Sequence, residues 1–314
     1  MRSAARLNGA VAYAPVAFAF VIFHSPVSFI HSAFIIQHLK AMLRQHLRLA
    51  DFGVSPHTGF LPETNPSDPS PLNAAWHDLA AQLPKKSLLG GIRGQIGALP
   101  PYQPDPHTPP EVQMRTLSYL GHAYLWGQAE TVARLPQSLA RPWVAVADAV
   151  GRPAILSYPS YCLFNFRKID PDKPAFLGNV EIRQNFLGGA DEDWFILIHV
   201  DIEARAAQAL RAIPNLLEAA DEGDVSAMKT GLRDVHESLL AMNATMARMP
   251  EWCDPYVYYT RVRPYIFGTK NNPAVPDGVV YESCFDETPQ FYRGETGAQS
   301  GIVPALDALL GVSH

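Results

Sequence analysis

Between Asp224 and Pro250, six apolar side chains recur at steps of four and three: Met228, Leu232, Val235, Leu239, Met242 and Met246. That spacing places all six on one stripe of an α-helix, because side chains three and four apart share a face. Asp224 stands where an N-cap carboxylate accepts backbone N–H groups, and Pro250 stops the helix. Such a helix must lay its stripe against other helices, so it predicts a bundle. No run elsewhere shows the sustained period-two alternation of a half-buried strand. The sequence therefore predicts an all-α fold with few strands, and it carries no internal repeat.

Other helices follow from the same period. Residues 72–83 put Leu72, Ala75, Trp76, Leu79 and Leu83 on one face, and residues 112–126 do so with Val112, Leu117, Leu120, Tyr124 and Leu125. Residues 142–150 and 155–166 are also predicted helical, with Pro153 and Pro159 marking starts or kinks. Residues 51–62 read as turn-rich, and the prolines clustered from Pro56 to Pro110 predict an irregular, extended stretch. Residues 188–193, Gly-Gly-Ala-Asp-Glu-Asp, predict a flexible acidic linker. Residues 194–213 follow as one long buried helix ending at Pro214. The expected division is an apolar extension over 1–50, a smaller N-terminal domain over 51–187, and a linker with a larger helical domain over 188–314.

A chain of 314 residues with 47% hydrophobic and 18% charged residues is long and apolar enough to bury a substantial core. Its net charge of −5 gives no electrostatic footing for nucleic acid. Cys162, Cys253 and Cys284 stand far apart without metal-like spacing, which predicts free thiols in a reducing, cytoplasmic setting. Residues 10–23 form an apolar run behind Arg2 and Arg6, like the start of a signal peptide, but Pro15 and Pro26 interrupt the region and no clear cleavage site follows. His24, His31 and His38 recur every seven residues, although Pro26 spoils a continuous helical face for a metal. The favoured expectation is that translation begins near residue 48; a membrane tether over residues 7–39 is the alternative.

Several chemistries lack their motifs. There is no Gly-rich phosphate loop, no nucleophile-elbow serine, no paired-carboxylate constellation and no His-x-x-x-His. Two segments stand out instead. Residues 254–268 pack four tyrosines and a phenylalanine around Arg261 and Arg263, and residues 293–300 form the small-residue loop Arg-Gly-Glu-Thr-Gly-Ala-Gln-Ser. Together they suit a flat aromatic ligand bearing an anionic group. Arg263 reads either as a surface arginine packed on Tyr259 or Tyr265, or as a planar fork for a carboxylate. His199, in the apolar run 194–200, reads either as a core histidine or as a ligand-facing acceptor, with Glu203 one turn on to orient it. Thr296 is a turn residue or a ligand contact between Gly294 and Gly297. Tyr158, Tyr258 and Tyr259 are core aromatics or pocket walls.

In combination these residues resemble the indoleamine 2,3-dioxygenase family of haem enzymes over residues 51–312. The matching segments include Gly59-Phe-Leu-Pro62, Ala123-Tyr-Leu-Trp-Gly127, Pro153-Ala-Ile-Leu-Ser-Tyr158, Asp170-Pro-Asp-Lys-Pro174, Arg263-Pro-Tyr-Ile-Phe-Gly268, Asp277-Gly-Val-Val-Tyr-Glu282, Gly297-Ala-Gln-Ser300 and Asp307-Ala-Leu-Leu-Gly311. The resemblance implies an all-α, two-domain fold, with haem b in the larger domain and O2 as co-substrate. The reaction it implies inserts both oxygen atoms across the indole C2–C3 bond of L-tryptophan, or a related indoleamine, giving N-formylkynurenine and opening the kynurenine pathway.

Residue by residue, the resemblance implies that Arg263 pairs with the substrate carboxylate and that Thr296 contacts the amino acid's polar end. Phe195, Tyr258 and Tyr259 would sandwich the indole, Tyr158 would line the inner wall, and His199 would accept the indole N–H. Gly297 and Ala298 would lie against the cofactor. The family's proximal histidine and its Met-Arg-x-Tyr-Met-Pro-Pro-x-His-Arg signature fall beyond the point matching Leu309-Leu-Gly311, so the metal ligand is expected past residue 314 and His314 is not expected to replace it. The expectation is a monomeric dioxygenase by family with a truncated haem domain. The alternatives are a non-enzymatic fragment, membrane-tethered or not, and an aromatic amino-acid binding protein.

Overall fold

A computed structural model describes residues 47–312. The apolar segment with His24, His31 and His38, and the terminal His314, lie outside the described residues.

The chain is all-α. Helices α1 (Ala74–Ala81) and α3 (Ile92–Gly97) pack against α4 (Pro110–Trp126), α2 (Leu83–Leu89) packs on α1, and α5 (Gln137–Val150) follows α4. Helix α1 matches the helix expected over residues 72–83, and two further short helices, α2 and α3, break up the stretch predicted irregular; Trp76, Leu83 and Ile92 anchor the three in the core. Helix α4 is the central rod, buried at every position from Val112 to Ala123. Gly121 lets α5 close on it, since a Cβ there would sit 2.1 Å from the Trp143 ring. Helix α5 begins five residues before the predicted start and keeps Pro142 inside, because Leu139, Ala140 and Trp143 are all buried against α4. Strands are few and short: β1 (Arg134–Leu135) pairs in parallel with β4 (Val280–Tyr281), and β2 (Phe166–Lys168) antiparallel with β3 (Val180–Ile182).

The helix expected over 155–166 is absent apart from one π turn, Pro159–Leu163. Side chains take its backbone donors instead: Leu156 N–H donates to His122 Nε2 at 3.0 Å, and Tyr158 N–H to Gln299 Oε1 at 2.8 Å. The long helix α6 runs Ala190–Glu222, 33 residues, or about 50 Å. It starts earlier than expected because the acidic run is its first turn rather than a linker. Asp191, Glu192 and Asp193 complement the positive helix end, and the Glu192 carboxylate accepts from Phe186 and Leu187 N–H. It also passes through Pro214 and ends at Gly223 in the left-handed region.

Asp224 then caps α7 (Val225–Met246), accepting from Ser226 and Ala227 N–H at 2.9 and 3.0 Å. Helix α7 has the expected period with a shifted phase. Gly231, Val235, Ser238 and Thr245 are its buried seam, while Leu232, Leu239 and Met246 are exposed. Small and hydroxyl side chains let the helices approach. A Cβ at Gly231 would meet Leu216 at 2.6 Å, Ser238 Oγ donates to Arg205 O, and Thr245 Oγ1 to Asp201 Oδ2. Helix α8 (Ile302–Leu310) packs on α6. One continuous core reaches from Leu61 to Tyr281, and the three cysteines are free thiols. No described helix is long and apolar enough to cross a membrane.

Candidate functional site

Two segments far apart in sequence are welded into one wall. Gly268 and Gly294 meet backbone to backbone: a Cβ on Gly268 would lie 2.1 Å from Gly294 N, and one on Gly294 2.3 Å from Gly268 N. Thr269 N–H donates to Tyr292 O at 2.9 Å and Glu295 N–H to Ile266 O at 3.2 Å. The arginine–tyrosine segment, a π turn over Tyr258–Val262 running into the helical turn Arg263–Ile266, is therefore fixed against residues 293–300. Asp254 starts it by accepting from Tyr256 and Val257 N–H. Wide π turns often accompany functional sites because they re-aim side chains.

Helix α6 supplies the facing side. His199 Nδ1 lies 2.8 Å from Phe195 O, a carbonyl that can only accept, so the proton sits on Nδ1. Burial lowers the pKa of this imidazole. Nε2 therefore presents a lone pair, close to where a Cβ on Gly297 would stand (3.5 Å). Glu203 does not orient His199, contrary to the sequence expectation. Its Oε1 accepts instead from Tyr158 Oη at 2.8 Å and Ser300 Oγ at 2.7 Å, tying α6 to both neighbouring segments.

The aromatic residues are distributed unequally. Phe195 stacks directly on Tyr258, with ring centroids 4.2 Å apart, and touches His199 at 4.3 Å. With these rings in contact, an indole cannot lie between them, so they form one wall rather than two faces of a sandwich. Tyr158 adds an edge to His199, and Tyr161 borders Phe195. Tyr259 is 68% exposed and joins none of these ring contacts. Arg263 is half-buried and stacks over Phe267 rather than Tyr259 or Tyr265, 5.3 Å from its centroid. Its guanidinium has no hydrogen bond or ion pair among the described residues. Thr296 Oγ1 accepts from Ala298 N–H at 3.4 Å, capping the short turn Gly297–Gln299.

Four residues that pattern reading passed over complete the site. His122 is buried on α4; its Nδ1 donates to Tyr265 O at 2.6 Å while its Nε2 accepts from Leu156 N–H. Burial pushes this imidazole down to about 4, so it is a neutral staple between the Arg263 and Tyr158 segments. Gln299 bridges Tyr158 N–H and Gly294 O. Ser300 binds Glu203. Glu295 is 6% exposed, makes no side-chain hydrogen bond among the described residues, and leaves Oε1 buried without a partner. The signal for Glu295 was the single acid in a small-residue loop; the signal for His122 was a polar residue among the apolar positions of a helix.

A planar cofactor finds a partial fit. Gly297 and Ala298 offer a floor of minimal side chains beside His199, suited to one face of a haem. Among the described residues, the imidazole nitrogen left without a partner beside that floor is His199 Nε2. His122 uses both nitrogens, His77 bonds to Thr116 through Nδ1, and His57, His107 and His236 are exposed. No group of three or more His, Cys, Asp or Glu side chains suited to a metal ion occurs among the described residues.

The described residues thus form an all-α chain in which an acceptor imidazole, an unpaired guanidinium and an aromatic wall lie on neighbouring segments. Comparison with known proteins narrows this. The family description "Indoleamine 2,3-dioxygenase" matches residues 48–314. The chain is 32% identical over 244 residues to rat indoleamine 2,3-dioxygenase 1, covering 76% of this chain and 60% of that protein. It is 29% identical over 286 residues to indoleamine 2,3-dioxygenase of Saccharomyces cerevisiae, covering 85% and 62%. A Fusarium equiseti relative, 27% identical over 84% of this chain and 67% of its own length, is a 6-hydroxytryptophan 2,3-dioxygenase. The chain belongs to the indoleamine 2,3-dioxygenase family, and it spans about 60% of the length of the rat relative.

Proposed function

We propose that this pocket binds L-tryptophan, or a close indole amino acid, as the substrate site of a haem-dependent dioxygenase that opens the indole ring to N-formylkynurenine. The observation that carries this reading is the His199 tautomer. A neutral imidazole with Nδ1 committed to Phe195 O can only accept at Nε2, which suits an indole N–H donor. Arg263 supplies the second point of attachment, since its planar fork matches a carboxylate bidentately. Phe195 and Tyr258 form the apolar wall along which the ring lies, and Tyr158 closes the inner side. Gly297 and Ala298 would lie against haem, with Thr296 at the substrate's polar end. Haem, when bound, supplies the redox chemistry with O2. The chain's own residues position the ring, hold its carboxylate and exclude water.

Titrating L-tryptophan into the 314-residue chain supplied with haem tests this. Saturable binding, with N-formylkynurenine formed under reductant and O2, is the expected result; no binding overturns it. A second reading, an aromatic amino-acid binding chain without turnover, uses the same Arg263 fork and His199 acceptor. Binding without product, and without a histidine-ligated ferrous–CO spectrum, would select it.

A further inference from the structure

We propose that Glu295 is the counter-charge for the substrate's α-ammonium group, so that Glu295 and Arg263 together read an amino-acid zwitterion. The inference rests on the substrate reading of the pocket and adds to it a residue and a selectivity.

A buried carboxyl without a hydrogen bond is costly, and chains rarely retain one unless something pairs with it. Glu295 is such a group, and its position is not accidental slack. Its own N–H is held by Ile266 O, and the residue before it, Gly294, is locked against Gly268. The side chain therefore leaves a fixed backbone, in the loop that also carries Thr296. The groups that feel its charge lie on three segments: Cys162, Tyr158 and Tyr161 on the π-turn side, Tyr258 and Arg263 on the welded segment, and Tyr119 in the core on α4. The hydroxyls of two of those neighbours, Tyr161 and Tyr258, are buried close to each other and have no other partner. An unpartnered carboxyl oxygen beside two phenols that face only each other describes a place for a polar ligand group.

The sign of that group follows from its surroundings. Arg263 is the cation that acts on Glu295, yet no ion pair forms between them, so neither neutralises the other at contact distance. A ligand bearing both a carboxylate and an ammonium answers both charges, whereas a simple acid answers only Arg263. Burial pushes the Glu295 carboxyl up to about 7, against the pull of Arg263. Burial raises the Cys162 thiol and the Tyr158, Tyr161 and Tyr258 phenols, keeping them neutral. Glu203 holds its Oε1 between Tyr158 and Ser300, and its Oε2 is likewise buried without a partner. An incoming ammonium ion would thus ionise Glu295 and expel its proton.

Calorimetric titration of the haem-supplied chain with three probes tests this: L-tryptophan, tryptamine (no carboxylate) and indole-3-propionate (no amine). In Glu295→Gln, affinity for L-tryptophan and tryptamine should fall roughly 10- to 100-fold, with indole-3-propionate within about twofold, as expected for loss of one charge-assisted contact. Equal losses for all three probes, or no loss for any, overturn the assignment while leaving the substrate reading intact. Binding of none of the probes to the unmodified chain overturns the substrate reading and the inference with it. Should Glu295→Gln fail to fold, the unmodified chain decides. At about pH 6, in buffers of different ionisation heat, L-tryptophan and tryptamine should each release close to one proton and indole-3-propionate none. Proton release that is the same for all three probes, or zero for all, overturns it.

Discussion

Two buried ionisable residues attach to the same Arg263–Ile266 turn, and their side chains are treated in opposite ways. His122 spends both ring nitrogens, one on Tyr265 O and one on Leu156 N–H, and so fixes two segments to α4. Glu295 spends nothing, although it is about as inaccessible and sits in an equally fixed loop. A satisfied buried polar group rigidifies the fold around it; an unsatisfied one is a cost that invites a ligand. The His122 side of the site is therefore scaffold, and the Arg263–Glu295 side is where binding energy is held in reserve. Variants on the first should move stability, and variants on the second should move affinity.

The largest effect belongs to the scaffold seam. Gly294→Ala would force a Cβ to 2.3 Å from Gly268 N and Ile266 O, backbone atoms that cannot rotate away. A loss of about 4 kcal/mol is expected, in the range reserved for core disruptions. Chemical denaturation measures it, and a loss below about 1 kcal/mol would show that the two segments separate easily. Next comes the pH response of His122. Its folded pKa of about 4 lies below the ordinary value of 6.5, so the unfolded chain binds the extra proton first as pH falls. The stabilisation is complete above pH 6.5 and is lost progressively towards pH 4, about 3 kcal/mol in all. Glu295 titrates in the opposite sense, since its raised pKa makes its contribution fade as pH rises towards 7. The stability gap between the unmodified chain and His122→Gln isolates the histidine. It should narrow by about 3 kcal/mol over that window; a constant gap would mean that His122 is not a neutral staple.

On the ligand side, Arg263→Lys should leave the denaturation midpoint almost unchanged, because Arg263 makes no hydrogen bond or ion pair among the described residues and a lysine ammonium can keep its place over Phe267. L-tryptophan affinity should fall roughly 30- to 150-fold, about 2–3 kcal/mol, as a bidentate fork becomes a point charge. A stability loss in place of the affinity loss would move Arg263 to the scaffold side.

Much of this division was legible in the sequence, and its limits have physical causes. Helices α4 and α7, the Asp224 cap and the scarcity of strands follow from local period and capping. The phase of α7 did not, because a seam of Gly231, Ser238 and Thr245 is held by close approach and by bonds to Asp201 and Arg205, which no hydropathy stripe reports. Pro214 misled in the same way: tertiary packing along α6 outweighs one lost backbone bond. The false helix over 155–166 failed because His122 and Gln299, 34 and 141 residues away from the backbone groups they bind, take those donors. Within the site, Arg263, His199, Thr296 and Phe195 were named from type and motif. Glu295 and His122 were not, since their roles depend on what lies around them in three dimensions.

The smallest expected effect probes the boundary between the two sides. His199 is scaffold at Nδ1, where it donates to Phe195 O within its own helix, and binding surface at Nε2, where nothing among the described residues meets it. His199→Ala removes both. The Nδ1 bond is a local one on a 33-residue helix whose backbone holds without it, so stability should change by less than about 1 kcal/mol. The Nε2 lone pair should account for about 1 kcal/mol of L-tryptophan affinity, the net value of a neutral hydrogen bond. An N-methylated tryptophan cannot donate there, so its affinity should be nearly the same for the unmodified chain and the variant. If His199→Ala weakens both ligands equally, the imidazole acts by filling space beside Phe195 and Gly297, and the ring nitrogen of the substrate must be sought elsewhere in the pocket.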